Sequence, residues 1–474
     1  MNPNIREMEY AVRGAIPIRA DELKAQLKTA PNSLPFKQIT PCNIGNPQQL
    51  EQKPLTFLRQ VIALMEYTDL LSPEMIETTR KLFPADAVER AQRNLSYVGN
   101  AVGAYTHSLG IFEVRQNIAK FIEKRDGFPA HADHICLTSG ASGAVERVLD
   151  ILVSSPNVGI MIPIPQYPLY TATLAHISAK AVPYYLQEDK DWGLSIDDLQ
   201  RSLDEARASG TDVRALVVIN PGNPTGGCLL ESNIAEIVRF CERERLVILA
   251  DEVYQTNIYT GTNPFVSFKK VVSQLDSSVE LFSFHSISKG MIGECGRRGG
   301  YYEAINIEEP VMAQLLKLAS VSLCPNVQGQ MAVDLMVNPP KPGDPSHEQY
   351  TREIDDIYQS MKRRAKKLAA AFNSLPSMSC NDAQGAMYLF PKVDFPQEFI
   401  DEANAQGQTP DGMYCMQMLE ATGISVVPGS GFGQYPGTFH FRSTFLPQEK
   451  LFDEFIDGFK RFHLSFLARY SPKI

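Results

Sequence analysis

The segment HSISKGMIGECGRRGG, residues 285–300, sets Lys289 and Arg298 in one glycine-rich turn with Ser286 and Ser288. Glycine backbone approaches a phosphate closely, and serine hydroxyls and arginines add donors strengthened by charge. Lys289 is then either a further phosphate contact or a reactive amine. In a crevice beside arginine its protonated form is disfavoured, and a neutral amine attacks a carbonyl carbon. Three other stretches carry related chemistry. SGASGAVERVLDIL, residues 139–152, reads as a small-residue turn opening a helix, which would aim the Ala141 amide, the Ser142 hydroxyl and the helix dipole at an anion; such turns also occur without any ligand. Asp251 ends the apolar run LVILA, where a carboxylate is costly to desolvate unless a cation faces it; a helix cap or a solvated loop acid is the alternative. Asn223, in NPGNPTGG, is either a turn former or an amide donor to a ligand oxygen.

These groups need a scaffold that brings them together. Short β-branched runs (HICLTSG, VGIMIPIP, AVPYYL, RALVVINPGNPTGG, LVILADEVY and ELFSFHSISK) alternate with stretches such as SGAVERVLDILV and ESNIAEIVRFCERERL, whose apolar residues recur at helical spacing. The alternation predicts an α/β domain with a largely parallel sheet. Ligands of open α/β sheets gather beyond the carboxyl ends of the strands. SGASG follows HICLT, NPGNPTGG follows LVVI, DEVYQ follows LVILA and HSISK follows ELFSF, so four strand ends are expected to line one crevice. One small molecule would use all the parts: pyridoxal phosphate offers an aldehyde to a lysine, a ring nitrogen to an aspartate, a phenolic oxygen to an asparagine and a tyrosine, and a phosphate.

The Pro-rich NPPKPGDPS, residues 338–346, reads as a boundary, followed by a charged helical pattern over 347–374 and by AMYLF, ISVVPG and TFHFRSTFL as strands of a smaller α+β unit that the N-terminal portion joins. The expected division is an N-terminal arm and part of the small domain over 1–85, a large cofactor-binding domain over 86–340 and the rest of the small domain over 341–474. A chain of 474 residues is long enough for two such domains. Its formal charge of -9 and pI near 5.5 argue against a nucleic-acid binder. The eight cysteines show no C-x-x-C and no zinc spacing, so reduced, mostly buried thiols are expected, and His131 and His134 in HADH read as loop rather than metal site. MNPNIREMEY lacks the apolar centre of a signal peptide and the Arg/Ser-rich character of a transit peptide, SPKI is no clear peroxisomal address, and nothing approaches the ~18 consecutive apolar residues of a membrane span. The expected location is the cytoplasm, with a mitochondrial form left open if the N-terminus is processed.

The ordered set SGAS, PQYPLY, NPGNPTGG, DEVYQ and S-x-S-K followed by R-G-G-Y resembles pyridoxal-phosphate enzymes of the aspartate-aminotransferase fold, fold type I. More narrowly, YAVRGAIPIRA, QKPLTFLRQV, IPIPQYPLY, FHSISKGMIGECGRRGGY, QGAMYLFP and VVPGSGFGQ resemble the alanine aminotransferases, over about residues 8 to 470. The resemblance implies that Lys289 forms the internal Schiff base, Asp251 pairs with the pyridinium, Asn223 and Tyr254 hold the ring oxygen and Tyr167 stacks on the ring. Ala141, Ser142, Ser286 and an arginine would hold the phosphate. That arginine is Arg297 if it follows the lysine by eight residues, as the broader fold commonly has it, or Arg298 if it is the arginine preceding G-G-Y; the second is favoured. Tyr105 matches the tyrosine that reaches the neighbouring subunit's phosphate, implying a homodimer with shared sites. Arg442 matches the clamp on the substrate α-carboxylate, and Gly45 the glycine whose backbone lies beside that substrate, with Asn223 also near it. The implied reaction is L-alanine + 2-oxoglutarate = pyruvate + L-glutamate, in a ping-pong cycle with Lys289 moving the proton. Transamination between glyoxylate and glutamate, β-elimination, and a catalytically silent paralogue are the rivals; the last would be marked by loss of Lys289, Asp251 or Arg442, all of which are present.

Overall fold

A computed structural model describes residues 2–8, 10, 14–261 and 263–470. Ala11 to Arg13 of YAVRGAIPIRA, Met1 and Glu9 of MNPNIREMEY, and the terminal SPKI lie outside the described residues.

The first strand, β1 (Thr40–Pro41), belongs to the C-terminal part of the molecule and is taken up below. The central sheet comprises β2 (Ile135–Thr138), β3 (Val158–Ile164), β4 (Lys180–Gln187), β5 (Gly193–Leu194), β6 (Asp212–Ile219), β7 (Val247–Asp251), β8 (Leu281–Ser286) and β9 (Gly300–Ile305). Its order is β2-β9-β8-β7-β6-β3-β4-β5. Strands β4, β3, β6, β7 and β8 run parallel in sequence across it, and β9 lies antiparallel between β8 and β2. The sheet is therefore mixed: β9 and the two-residue β5, which pairs antiparallel with β4, were not read as strands from the sequence.

Both sheet faces are covered, as the nearly continuous apolar runs require. Alternate side chains along each strand divide between them. Ile160, Ile162, Val217, Leu249 and Phe282 pack with Val145, Leu149 and Leu315 of the helices Gly140–Leu152 and Glu309–Val321. Met161, Leu216, Val218, Ile248 and Leu281 face Leu199, Ile237 and Phe268 of the helices Ile196–Ala208, Glu231–Glu244 and Phe268–Gln274. A further helical layer, Thr56–Glu66, Ala85–Ser96, Phe112–Asp126 and Val327–Val337, packs around Val61, Val88, Ile118 and Met331.

The helix His347–Asn373 realises the charged pattern expected there. Beyond it come β10 (Met378–Ser379), β11 (Tyr388–Leu389), β12 (Lys392–Val393), β13 (Ile424–Ser425), β14 (Val427–Pro428) and β15 (Phe441–Thr444). Strand β15 sits between β11 and β14, and β1 pairs with β13, which ties the N-terminal segment to this part. Eight cysteines are free; Cys295 and Cys324 are half-buried and the others buried. Among the described residues no helix is long and apolar enough to cross a membrane.

Candidate active site

Strands β2, β6, β7 and β8 end on the same edge of the sheet, and a cavity of about 390 Å³ opens there. Eleven of the twelve residues singled out in the sequence line it: Gly45, Ala141, Ser142, Tyr167, Asn223, Asp251, Tyr254, Ser286, Lys289, Arg298 and Arg442. Register explains the meeting of distant motifs, because Gly300 pairs with Thr138 on one side and Ser286 on the other. A β-carbon at Gly300 would come within 2.8 Å of the Ala141 nitrogen, so only glycine lets the start of the helix Gly140–Leu152 close over β9.

One end of the cavity is an anion cradle. Arg298 donates from Nη2 to Ser142 Oγ (3.1 Å) and to the Ser139 carbonyl (3.2 Å), and from Nη1 to the Cys295 carbonyl (2.9 Å). It has no carboxylate partner among the described residues. Gly140, at φ +82°, makes room for this guanidinium: a β-carbon there would lie 2.8 Å from Arg298 Cζ. Arg297 turns away from the cavity, its Nε 3.2 Å from Glu294 Oε2, and Glu294 is also held by Arg59 at 2.9 Å.

The middle holds an acid and an amine. Asp251 is buried at the end of β7 and accepts from Tyr170 Oη at 3.0 Å and from the Val253 amide at 3.4 Å. Burial pushes its carboxyl up to about 6, opposed by the Tyr170 and Val253 hydrogen bonds and by Lys289. Lys289 Nζ donates to the Gly45 carbonyl at 2.7 Å. Tyr254 donates to the Tyr388 hydroxyl at 3.2 Å.

At the other end, Arg442 is fully buried between two aromatic faces, its Cζ 4.2 Å from the Tyr388 centroid and 4.7 Å from that of Phe432. Nη1 donates to Asn223 Oδ1 at 2.9 Å and Nη2 to the Asn43 carbonyl, while Nε has no partner among the described residues. Three tyrosines of this site escaped the sequence reading. Tyr170 holds Asp251, Tyr388 underlies Arg442, and Tyr10 meets Tyr167 hydroxyl to hydroxyl at 2.7 Å. The available signal was chemical: a tyrosine inside a buried apolar run must find a polar partner for its hydroxyl.

The pattern of Aminotransferase class I and II matches residues 68–458. The chain belongs to that family. A protein named alanine aminotransferase 2 from Panicum miliaceum is 52% identical over 474 residues, covering 99% of this chain and 98% of that one. Glutamate–glyoxylate aminotransferase 2 of Arabidopsis thaliana is 47% identical, covering 99% of this chain and 96% of that one. Among solved structures, the alanine aminotransferase of Pyrococcus furiosus superposes with a TM-score of 0.76 at 23% identity, covering 98% of this chain and 100% of the other, a likeness of fold. The architecture is that of fold type I.

Class I and II aminotransferases imply pyridoxal phosphate, and the cavity of this aminotransferase fits it. An arginine without a carboxylate partner among the described residues stands over a helix start, a buried acid makes no ion pair among the described residues, and a primary amine opens on the same cavity. The buried orphan Nε of Arg442 leaves a second, separate demand for an anion. The twelfth residue, Tyr105, is 78% exposed and lies outside this cavity.

Proposed function

We propose that this aminotransferase uses pyridoxal phosphate to move the amino group of L-alanine to 2-oxoglutarate, giving pyruvate and L-glutamate in a ping-pong cycle. Arg442 carries the reading: a buried guanidinium, unpaired with any carboxylate among the described residues, opens on the same cavity as the Lys289 amine. A planar cation so held suits a bidentate grip on the α-carboxylate of an amino or keto acid. Asn223 steadies that guanidinium, and the Gly45 backbone, whose carbonyl is 2.7 Å from Lys289 Nζ, would lie beside the substrate.

When bound, pyridoxal phosphate supplies an aldehyde for amines and a ring that draws electrons from the substrate's Cα. In this reading Ala141, Ser142, Ser286 and Arg298 hold its phosphate, Tyr167 covers the ring, Asn223 and Tyr254 bind the ring oxygen and Asp251 keeps the ring nitrogen protonated. Tyr170 and the Val253 amide fix the Asp251 carboxylate for that task. Lys289 is the amine that would meet that aldehyde, and its Nζ, beside the Gly45 carbonyl, would carry the proton from the substrate's Cα to the cofactor's C4′ carbon. Tyr105, exposed on its own subunit, suits a residue that completes a second copy's site, which makes the enzyme a homodimer with shared sites.

The Arabidopsis relative favours one alternative, transfer from glutamate to glyoxylate. Purified protein offered alanine, glutamate, glycine and cysteine as donors, with 2-oxoglutarate and glyoxylate as acceptors, separates the two. The proposal expects the highest kcat/KM with alanine and 2-oxoglutarate; a preference for glutamate and glyoxylate would replace it.

A further inference from the structure

Tyr388 presents two different surfaces to the cavity. Its ring lies against the Arg442 guanidinium, 4.2 Å from Cζ, which a phenylalanine would do equally well. Its hydroxyl reaches elsewhere. It accepts from Tyr254 at 3.2 Å and projects into the niche left by the missing side chain of Gly45. A β-carbon on Gly45 would run into the Tyr388 hydroxyl and would stand 3.1 Å from Lys289 Nζ, so the phenol oxygen and the amine occupy the two sides of one small space. Glycine at 45 and tyrosine at 388 are thus a matched pair: one vacates the volume that the other's oxygen fills.

We propose that Tyr388 is a positioning residue for amino transfer that acts through Lys289: its hydroxyl oxygen accepts a hydrogen bond from the protonated amine and keeps that amine in the niche beside Gly45. The inference rests on Lys289 being the base of the proposed reaction. The proton removed from the substrate stays on Lys289 Nζ; Tyr388 accepts a hydrogen bond and takes no proton from it. The Gly45 carbonyl, 2.7 Å from Nζ, provides the second acceptor, so two of the three ammonium hydrogens are directed and the third is left for delivery to the carbon that accepts the transferred proton.

The charge around the phenol agrees with this arrangement. Burial opposes its ionisation, but Lys289 and Arg442 beside it and hydrogen bonds from Tyr254 and Lys289 bring it below the ordinary tyrosine range. The titratable groups facing it are Lys289, Arg442, Tyr254 and Tyr167, and burial pushes the last two phenols well up. Tyr388 is therefore the member of this tyrosine group best able to bear negative charge opposite an ammonium.

Two substitutions and two readouts test the proposal. Tyr388→Phe keeps the ring against Arg442 and removes the oxygen; Tyr388→Leu removes both. For Tyr388→Phe, kcat should fall roughly 10- to 100-fold while KM for the amino acid stays within about 2-fold, because only the amine's placement is lost. Tyr388→Leu should raise KM as well. Independently of turnover, ultraviolet titration of the cofactor-free protein should show one phenol ionising below the others in the wild type and missing from Tyr388→Phe. A Tyr388→Phe enzyme with wild-type kcat, or with an unchanged phenolate titration, overturns the proposal. Wild-type protein that moves no amino groups would overturn the functional reading as well, so that control separates the two failures.

Discussion

Asp251 shows at the level of one side chain how the cavity prepares for a cationic ligand. Its carboxyl is pushed from 3.8 up to about 6 by burial, and the hydrogen bonds from Tyr170 and Val253 and the charge of Lys289 do not cancel the effect. A raised carboxyl pKa means that the folded, cofactor-free protein holds this proton more tightly than the unfolded chain. The group's stabilisation is then fully present below 3.8 and is lost as pH rises through about 6. Above that range the ionised carboxylate costs the cofactor-free protein on the order of 3 kcal/mol. Asp251→Asn should therefore raise the melting temperature of the cofactor-free protein at pH 8, with little change at pH 4, as calorimetry can show. The same substitution should weaken pyridoxal phosphate binding by at least ~10-fold, because it removes the charge opposite the ring nitrogen. Unchanged melting at pH 8 would mean that the carboxylate has a partner this account misses.

At the level of elements, the site depends on the start of the helix Gly140–Leu152 lying against β9 and Arg298. Gly140→Ala would place a methyl group 2.8 Å from Arg298 Cζ at a φ of +82°. We expect a stability loss of about 1 kcal/mol. Displacement of the guanidinium should add a fall in cofactor affinity of roughly 10-fold or more, measurable by equilibrium dialysis. Strands buried on both faces were legible because they are continuous Val/Ile/Leu runs, and the polar residues at their ends were legible because each follows such a run directly. Strand β9 was not: GYYEAI carries Glu303 at its centre, and the Lys269 ammonium that makes this charge tolerable, 2.6 Å away, comes from a separate helix. Tyr388 was hidden for a similar reason. Within AMYLF it looks like strand filler, and its function depends on Arg442 and Tyr254, which only the folded chain brings to it. The sequence favoured Arg298 over Arg297 but gave no direction for either side chain: Arg297 meets Glu294 and Arg298 meets Ser142.

At the scale of the whole molecule, Tyr105 is the one proposed site residue that its own cavity does not collect. If two copies share sites, Tyr105→Ala and Lys289→Ala are defects in different subunits of the same site. Refolding equal amounts of the two inactive variants together should then restore about a quarter of wild-type activity, through mixed dimers with one intact site. No recovery in the mixture would mean that Tyr105 does not complete the partner's site. The central claim, that this cavity takes the amino group from alanine with Lys289 moving the proton, has a more direct test that needs no second substrate. Protein loaded with pyridoxal phosphate is mixed with L-alanine alone, and pyruvate is counted. The account predicts a single equivalent of pyruvate per site from the wild type and none on the same timescale from Lys289→Ala. A wild type that releases no pyruvate, or a Lys289→Ala variant that matches it, would contradict the account.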